Sequence, residues 1–253
     1  MHPVLFSVGA WEIRSYAVFV LLGFLAAWRV RRVEVARLGH QRLPGYAWVP
    51  VGALLGAIVG SKLGMLLFER WADWSALMAR MVELDFTGKT VVGALAGGYL
   101  GVEIAKKRVG ITRRTGDGFA VAMLVGMAVG RVGCFLEGCC AGVPWDGPLA
   151  VDYLGAARHP APLYEGALDL LLAAVLWRLR GRAYPEGNLY RRALVGYAII
   201  RFCLEPIRVD YNPWWGWLSG VQLVCLATAV GFGAVIVGRE RGRPGAQTPA
   251  SGA

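Results

Sequence analysis

The sequence predicts an all-α, polytopic membrane protein with about seven transmembrane helices, and three observations support this fold class. Apolar residues make up 56% of the 253 residues and charged residues only 17%, whereas about a quarter of the residues in a soluble domain are charged. The apolar residues fall in long runs, as they do in membrane spans. No alternating ten-residue pattern indicates a barrel, so the spans are expected to be helices, which bond their own backbone groups in lipid.

Seven apolar segments can be drawn in chain order, and several are shorter than the roughly 20 residues of a full span. Their ends are therefore approximate. The segments cover residues 16–28, 46–68, 90–105, 119–136, 163–179, 189–203 and 217–237. We expect them to form one membrane-embedded domain, residues 1–238, and we expect the basic cytoplasmic tail, residues 239–253, to be disordered.

The net charge of +10 is distributed unevenly between the loops. Basic residues cluster at residues 29–42, 106–114, 178–182 and 239–243, whereas the alternate loops are acidic or mixed. The positive-inside rule then places the N-terminus outside and the C-terminus in the cytoplasm. The same distribution indicates contact with anionic lipid rather than with nucleic acid, for which the usual sequence signatures are missing.

Glycine recurs at every fourth residue in two neighbouring segments. The second segment contains Gly52, Gly56, Gly60 and Gly64, and the third contains Gly93, Gly97 and Gly101. Such a stripe makes a smooth groove on one helix face. The groove is interpreted as a close helix contact or as an opening that admits a lipid chain, and the two interpretations are compatible.

The five cysteines are odd in number and unevenly spaced, so they do not form the paired framework of a secreted disulfide protein. Cys134, Cys139 and Cys140 lie close together in sequence. They are interpreted as small buried hydrophobes, as metal ligands, or as a redox pair or thiol nucleophile beside an arginine. Metal binding is weakly supported because no CxxC pair occurs and the ligand count is short, so no metal site is predicted.

The fourth apolar segment ends in the stretch GRVGCFLEGCCAG, residues 130–142, which contains Arg131. A charge at membrane depth is costly and is usually kept for function, although a snorkelling or structurally paired arginine is the plain alternative. Arg201, Glu205 and Arg208 repeat the pattern, and their spacing predicts one shared helical face. Two guanidinium groups on neighbouring helices suit a phosphate, and Glu205 either orients one arginine or neutralises both.

The stretch RHPAPLYE, residues 158–165, predicts the start of a helix, because Pro160 and Pro162 fit its first turn. His159 stands at this boundary, where it is either a structural cap or donor or a functional group. Glu165 is expected near the positive end of the helix dipole. Other polar positions are expected to converge with these on the fourth segment, namely Tyr16 and Lys62.

Six stretches then match a known family in order: PVLFSVGAWEIRSYAV, GSKLGMLLF, GRVGCFLEGCCAG, RHPAPLYE, LVGYAIIRFCLEPIRVD and LSGVQLV. The motifs HPxxLYE and GYxxxRFxxExxR are fairly specific when they occur together in this order. On these residues the chain resembles the prolipoprotein diacylglyceryl transferases of the bacterial inner membrane, over nearly its whole length. The resemblance implies seven helices with the N-terminus outside, which agrees with the charge distribution.

The resemblance also implies an activity. The family moves the diacylglyceryl group of phosphatidylglycerol onto the lipobox cysteine thiol of a preprolipoprotein and releases glycerol phosphate. The expected partners are therefore phosphatidylglycerol, the preprolipoprotein signal peptide and membrane lipid, and the expected location is the inner membrane, crossed many times. Neither a metal nor an organic cofactor is expected. The thiol attacks as a thiolate, and arginines stabilise the phosphate that leaves.

Site residues are carried over by position. Arg131 and Arg201 correspond to the family's two important arginines. The residues expected to act in catalysis are Arg131, Arg201, Tyr16, His159 and Glu205. The residues expected to bind substrate are Arg131, Arg201, Arg208, Gly142, Tyr164, Glu165 and Tyr197.

Three positions depart from the family pattern. Cys134 stands where the family has asparagine, Cys139 where it has glutamate, and Val92 where it has a histidine in the third span. A base is therefore missing, and the candidates to replace it are Lys89, Thr90 and Glu137. Two alternatives stay open: a divergent paralogue that transfers a phospholipid-derived group to another acceptor, and a non-enzymatic lipid-binding or thiol-sensing membrane protein.

Overall fold

The computed structural model describes residues 2–8, 11–68, 91–153, 155–182 and 184–241, and these residues form α-helices, short turns and small hairpins. Seven α-helices lie within those residues. They are α1 (Ser15–Leu38), α2 (Trp48–Phe68), α3 (Val91–Val109), α4 (Ala120–Glu137), α5 (Ala161–Leu179), α6 (Asn188–Leu204) and α7 (Gly220–Arg241). Short 3-10 turns occur at His40–Arg42, Gly116–Phe119 and Glu205–Ile207.

Two-stranded antiparallel sheets correct the prediction of an all-α fold to a mostly helical one. They pair β1 (Val4–Val8) with β2 (Trp11–Arg14), β3 (Val151–Tyr153) with β4 (Ala156–Arg158), and β5 (Pro213–Trp215) with β6 (Leu218–Ser219). The later two hairpins turn at Gly155 and Gly216, whose φ angles of +90° and +58° suit glycine. The first hairpin precedes the first apolar run, the second lies between two runs, and the third borders the last run, and the periodicity that predicts the helices gives no signal for them.

Each predicted apolar segment coincides with one of the described helices, and α1 differs most from its prediction. The predicted segment ends at residue 28, but α1 continues to Leu38. The extension is rich in arginine, which is a good helix former. It also contains the buried Glu34, to which Arg180 Nη1 donates a hydrogen bond of 2.6 Å. Much of the first basic cluster is therefore helix rather than loop.

Apolar length distinguishes the helices from one another. Within the described residues, Gly116–Glu137 and Gly220–Arg241 are long and apolar enough to cross a membrane, and Trp48–Gly64 is apolar but shorter. These stretches agree with a membrane protein, whereas seven crossings stay a prediction. The last helix continues to Arg241, into the predicted tail, and residues 242–253 lie outside the described range.

The chain forms two compact units. One runs from the N-terminal hairpin to Glu34 and resumes at Arg114, and the other is Val35–Arg113. In the second unit, a Cβ atom at Gly56 would lie 2.2 Å from the carbonyl oxygen of Gly97 on the facing helix. The backbones of α2 and α3 therefore touch, as small residues allow. The interpretation as a close helix contact is confirmed, and α3 fills the glycine face of α2.

In the first unit, glycines bring α1 and α5 against α4 on either side of Arg131. A Cβ atom at Gly133 would lie 2.7 Å from Cβ of Phe19 in α1. One at Gly166 in α5 would lie 3.3 Å from Cβ of Arg131. The contact at Gly133 leaves no room for a side chain and that at Gly166 leaves little, so three helix backbones approach one another around buried Arg131.

Candidate active site

Arg131 is the first part of a buried polar centre formed by α4, α5 and α6. Its Nη2 atom donates a hydrogen bond to Glu165 Oε1, and the hydroxyl of Tyr197 donates to the same oxygen at 3.1 Å. All three residues are buried. The carboxylate that the sequence placed near a helix dipole therefore serves an arginine on the neighbouring helix. This pairing is what makes a charge at this depth tolerable.

Glu205 and Arg201 form the second part, at the end of α6. Arg201 Nη1 lies 2.7 Å from Glu205 Oε2, and Ser219 Oγ donates to Glu205 Oε1 at 2.9 Å. Ser219 also accepts the backbone N–H of Gln222 at 3.1 Å, while Gln222 Oε1 accepts the N–H of Ser219 at 3.0 Å. This reciprocal pair is a capping box at the start of α7. It holds Ser219 in place against Glu205.

Arg208 reaches the same centre by a different route from the one predicted. Because a proline inside a helix clashes with the preceding turn, α6 ends at Leu204, a 3-10 turn follows, and Arg208 has extended backbone with φ −88°. The prediction that it shares one helical face with Arg201 and Glu205 is wrong. Its Nη1 nevertheless lies 3.9 Å from Glu165 Oε2, and its Nε and Nη2 donate to Asp210 at 3.0 and 3.1 Å.

The charge on Arg208 is secured by its surroundings. Burial on its own would lower the pKa of Arg208, but the hydrogen bonds to Asp210, together with the electrostatic attraction of Cys140 and Asp210, outweigh this, and the pKa is raised. Asp210 is 61% exposed in its side chain. Arg208 therefore connects an exposed carboxylate to the buried Glu165, and it stays a cation at every physiological pH.

Two guanidinium nitrogens in this centre have donor capacity to spare. Arg201 Nη1 and Arg208 Nη1 are both buried, and within the described part of the chain neither makes a hydrogen bond, although each lies near a glutamate. A buried donor without a hydrogen bond costs about 1–3 kcal/mol, more for a charged group. Arrangements of this kind are retained where a ligand supplies the missing acceptors. Phosphate oxygens are acceptors of the right charge.

Asp169 is a buried acid that the sequence reasoning missed. It lies one turn after Glu165 on α5 and is fully buried. Neither of its carboxylate oxygens has a hydrogen-bond partner among the described residues. The available signal was a carboxylate four residues after Glu165 within an apolar run, where an acid is expected to be functional. Arg158 was also passed over, and its Nη1 donates to the carbonyl of Gly142 at 3.3 Å.

Gly142 holds the loop after α4 against the rest of the centre. Its N–H donates to the carbonyl of His159 at 3.0 Å, and Val143 N–H donates to the carbonyl of Ile207 at 2.9 Å. A Cβ atom at Gly142 would lie 2.5 Å from Cβ of His159 and 3.0 Å from the Ile207 oxygen. The position requires glycine because two backbones approach it at once.

His159 lies at the edge of the centre, half-buried. Its ring stacks on Trp145 with centroids 4.6 Å apart, and Nδ1 lies 3.4 Å from the hydroxyl of Tyr164. The helix that follows begins at Ala161, with Pro160 as its N-cap residue and a proline in its first turn. The predicted helix start is confirmed. His159 is therefore held by two aromatic side chains at a loop-to-helix junction.

The other predicted positions divide between the centre and elsewhere. Tyr16, in the first turn of α1, packs against α4 at Gly133 and interacts electrostatically with Arg131. Glu137 accepts a hydrogen bond from Arg14.

Lys62 belongs to the other unit, on α2. Two of the candidate replacements for the missing base, Lys89 and Thr90, lie outside the described residues, as does the side chain of Val92.

These features define a mostly helical membrane protein whose buried arginines suit an anionic, phosphate-bearing ligand. The model of the prolipoprotein diacylglyceryl transferase family matches residues 3–238. The chain belongs to that family, as its resemblance predicted, and the prediction of a transferase is confirmed by this membership.

Individual relatives agree with the family match. The phosphatidylglycerol–prolipoprotein diacylglyceryl transferase of Nitratidesulfovibrio vulgaris strain Miyazaki F is 30% identical over 96% of this chain and 95% of its own length. The protein of the same name from Aromatoleum aromaticum is 32% identical over 91% of this chain and 93% of its own. That from Solidesulfovibrio magneticus is 30% identical over 94% of both chains. The similarity therefore extends over whole proteins rather than over one motif.

Proposed function

We propose that the chain transfers the diacylglyceryl group of phosphatidylglycerol to the lipobox cysteine thiol of preprolipoproteins, a step of lipoprotein maturation. The observation that carries this proposal is the pair of buried guanidinium nitrogens, Arg201 Nη1 and Arg208 Nη1, which have no hydrogen bond within the described residues. Together with family membership, they supply a place for the phosphate of the donor lipid. A phosphate oxygen there would complete both guanidinium groups.

The reaction requires one bond to form and one to break. The acceptor sulfur, as a thiolate, attacks the glyceryl carbon that carries the phosphate ester, and a carbon–sulfur bond forms. The carbon–oxygen bond to phosphate breaks, and its electron pair leaves with glycerol phosphate. Charge develops on the departing phosphate, so donors fixed beforehand lower the barrier. Arg201 and Arg208 hold these oxygens, and the thiol gives its proton to solvent before attack.

The other predicted residues support this pair. Arg131, hydrogen-bonded to Glu165 with Tyr197, keeps a third positive charge beside the phosphate. Glu205 fixes the orientation of Arg201 through their 2.7 Å contact. His159, Tyr164 and Tyr16 lie around the centre and position donor or acceptor. Gly142 holds the loop after α4 against His159 through a backbone hydrogen bond.

We further propose that all of α1 to α7 cross the inner membrane, with the N-terminus outside. The support comes from large apolar side chains that the described structure leaves exposed along the helices, where lipid would cover them. They include Leu25, Leu55, Leu100, Leu171, Ile199 and Val230. The basic clusters agree in sign with this orientation.

Reporter fusions after Arg113 and after Arg182 should be cytoplasmic, and a fusion after Asp146 should be external. Any reversal contradicts the topology.

The activity is tested with purified protein, phosphatidylglycerol labelled in its acyl chains, and a lipobox peptide. Label is expected on the cysteine peptide, released glycerol phosphate is expected in equal amount, and a matched peptide with serine in place of cysteine is expected to stay unlabelled. Folded protein that binds phosphatidylglycerol and transfers no label would contradict the proposal. That result would favour a paralogue with another acceptor.

A further inference from the structure

The end of α4 and the loop after it bring together three thiols that the arginine centre does not use. Gly138 ends α4 in the left-handed conformation, with φ +78°, and the backbone N–H of Cys139 returns to the carbonyl of Cys134 at 3.1 Å. The turn reverses the chain, so Cys139 and Cys140 face the last turn of the helix. All three sulfur atoms lie within 4.8 Å of one another.

The geometry of this three-thiol cluster, Cys134, Cys139 and Cys140, is close to that of a metal site. A zinc–sulfur bond is about 2.3 Å, so two sulfurs on a tetrahedral zinc are about 3.8 Å apart. Since the three sulfur atoms lie within 4.8 Å of one another, they need to close by no more than about 1 Å to bind one zinc. Sequence spacing argued against a metal because no CxxC pair occurs. The left-handed glycine supplies the reversal that a CxxC turn would otherwise give.

The number of ligands indicates which kind of metal site this is. Within the described residues the group contains three possible ligands. A structural zinc is closed by four protein ligands, whereas a catalytic zinc has three and keeps one position open for water or substrate. Soft thiolates select zinc-like cations over magnesium or calcium. The cluster therefore has the ligand set of an open site.

The cluster also lies beside the arginine centre. Cys134 is one helical turn after Arg131 on α4, and Cys140 interacts electrostatically with Arg208. Ala141, the next residue, accepts a hydrogen bond of 3.1 Å from Val209 N–H, next to Arg208. A ligand held by the three sulfurs would thus adjoin the guanidinium groups that suit a phosphate, and those cations offset the negative charge of three thiolates.

We propose that Cys134, Cys139 and Cys140 bind one zinc-like divalent cation, and that the fourth position takes the thiol of the acceptor peptide. The second half of this proposal rests on the proposed function. Binding to the cation releases the proton of the acceptor thiol to solvent, because a coordinating thiol is deprotonated outright. The bound sulfur then attacks the glyceryl carbon, and the carbon–oxygen pair leaves with glycerol phosphate. The family has a histidine where this chain has Val92, and the cation thereby replaces that missing base.

The first test measures metal binding by the whole chain in detergent. The protein is reduced, freed of metal and equilibrated with Co²⁺, whose thiolate charge-transfer and visible bands report tetrahedral sulfur ligands. One Co²⁺ per chain is expected, and Zn²⁺ should displace it. Cys139→Ser should lose the stoichiometric site. Cys203→Ser, which changes an exposed thiol on α6, is the matched control and should keep it.

The second test asks whether the acceptor thiol is the fourth ligand. A cysteine lipobox peptide should change the visible bands of the cobalt protein, and the serine peptide should not. A spectrum that ignores both peptides would overturn the acceptor half. Fully reduced protein that takes up no cobalt, or a disulfide within the cluster in cells quenched with an alkylating agent, would overturn the metal site.

The two proposals fail in different ways. Full transfer by metal-free protein would refute the part of the cation in the reaction and leave the transferase intact. Stoichiometric metal with a response to the cysteine peptide, but without transfer of label, would support the site and refute the donor or the reaction.

Discussion

Two helix contacts in this protein are built on opposite principles. Between α2 and α3 the helices meet backbone to backbone, with Gly56 facing Gly97. Between α4, α5 and α6 they meet through charged side chains, with Arg131 on Glu165 and Tyr197. The first contact depends on the absence of side-chain atoms at the facing glycines and fails when an atom is added. The second leaves donors without hydrogen bonds and fails when an atom is removed.

The difference separates stability from function. A glycine contact depends on close packing and has no chemistry to offer. Buried charges are expensive, and natural proteins keep unsatisfied ones mainly at functional sites. Variants in the two regions should therefore change different observables, the unfolding midpoint in one region and the transfer rate in the other.

The largest effect is expected from Arg201→Lys. Lysine keeps the charge but loses the planar fork that holds phosphate through paired hydrogen bonds. The transfer rate at saturating lipid and peptide should fall at least about 100-fold, while the thermal midpoint in detergent changes little. Arg178→Lys, the same change at an exposed position of α5, is the control. Equal rates for the two variants would refute the role of the fork.

A smaller effect of the opposite kind is expected from Gly56→Ala. The new methyl group would lie 2.2 Å from the carbonyl oxygen of Gly97, so the helices must separate. Such overpacking costs about 1–3 kcal/mol, to be read from the unfolding midpoint. Gly231→Ala is the matched control, since nothing lies within 4 Å of its added atom, and it should gain about 0.5–1 kcal/mol. A midpoint that both variants shift alike would contradict the packing argument.

Sequence reasoning predicted each helix and many members of the site, because apolar runs and charges at membrane depth leave a local signal. It could not predict which charge pairs with which. Glu165 was expected to serve its own helix, yet it bonds to Arg131 across thirty-four residues. The prediction also carried one helical face past Pro206 to Arg208, although the regular helix ends at Leu204. Distances between side chains depend on how helices approach one another, and a single sequence does not give that.

The three-thiol cluster shows the same limit. Spacing alone argued against a metal, since ligand motifs are recognised by short regular intervals. What brings the thiols together is a chain reversal at the end of α4, where Gly138 and Cys140 both have positive φ angles. The capping box of Ser219 and Gln222 is the contrary case. Its pattern S-x-x-Q was present in the sequence and could have been recognised before an apolar run.

That capping box gives the third prediction, Ser219→Ala. The change removes the bond to Glu205 and the cap of α7 together. Loss of a serine cap costs about 1 kcal/mol, and Glu205 then holds Arg201 less firmly, so transfer should fall several-fold as well. Ser219→Thr keeps the hydroxyl and should restore both values. Stability lost without any loss of rate would show that Glu205 does not need the serine.

The smallest effect is expected from Tyr197→Phe. This change removes one hydrogen bond of 3.1 Å to Glu165, while Arg131 still donates to the same carboxylate. The change leaves no buried donor without an acceptor, because it removes the Tyr197 hydroxyl that donates the bond. The cost is therefore that of one net hydrogen bond, about 1 kcal/mol, below the double loss at Ser219. If Tyr197 contacts the donor lipid, as its predicted role requires, the Michaelis constant for phosphatidylglycerol should rise beyond what stability explains. An unchanged Michaelis constant together with a lowered unfolding midpoint would show that Tyr197 only supports Glu165. The polar contacts with the lipid would then come from the arginines alone.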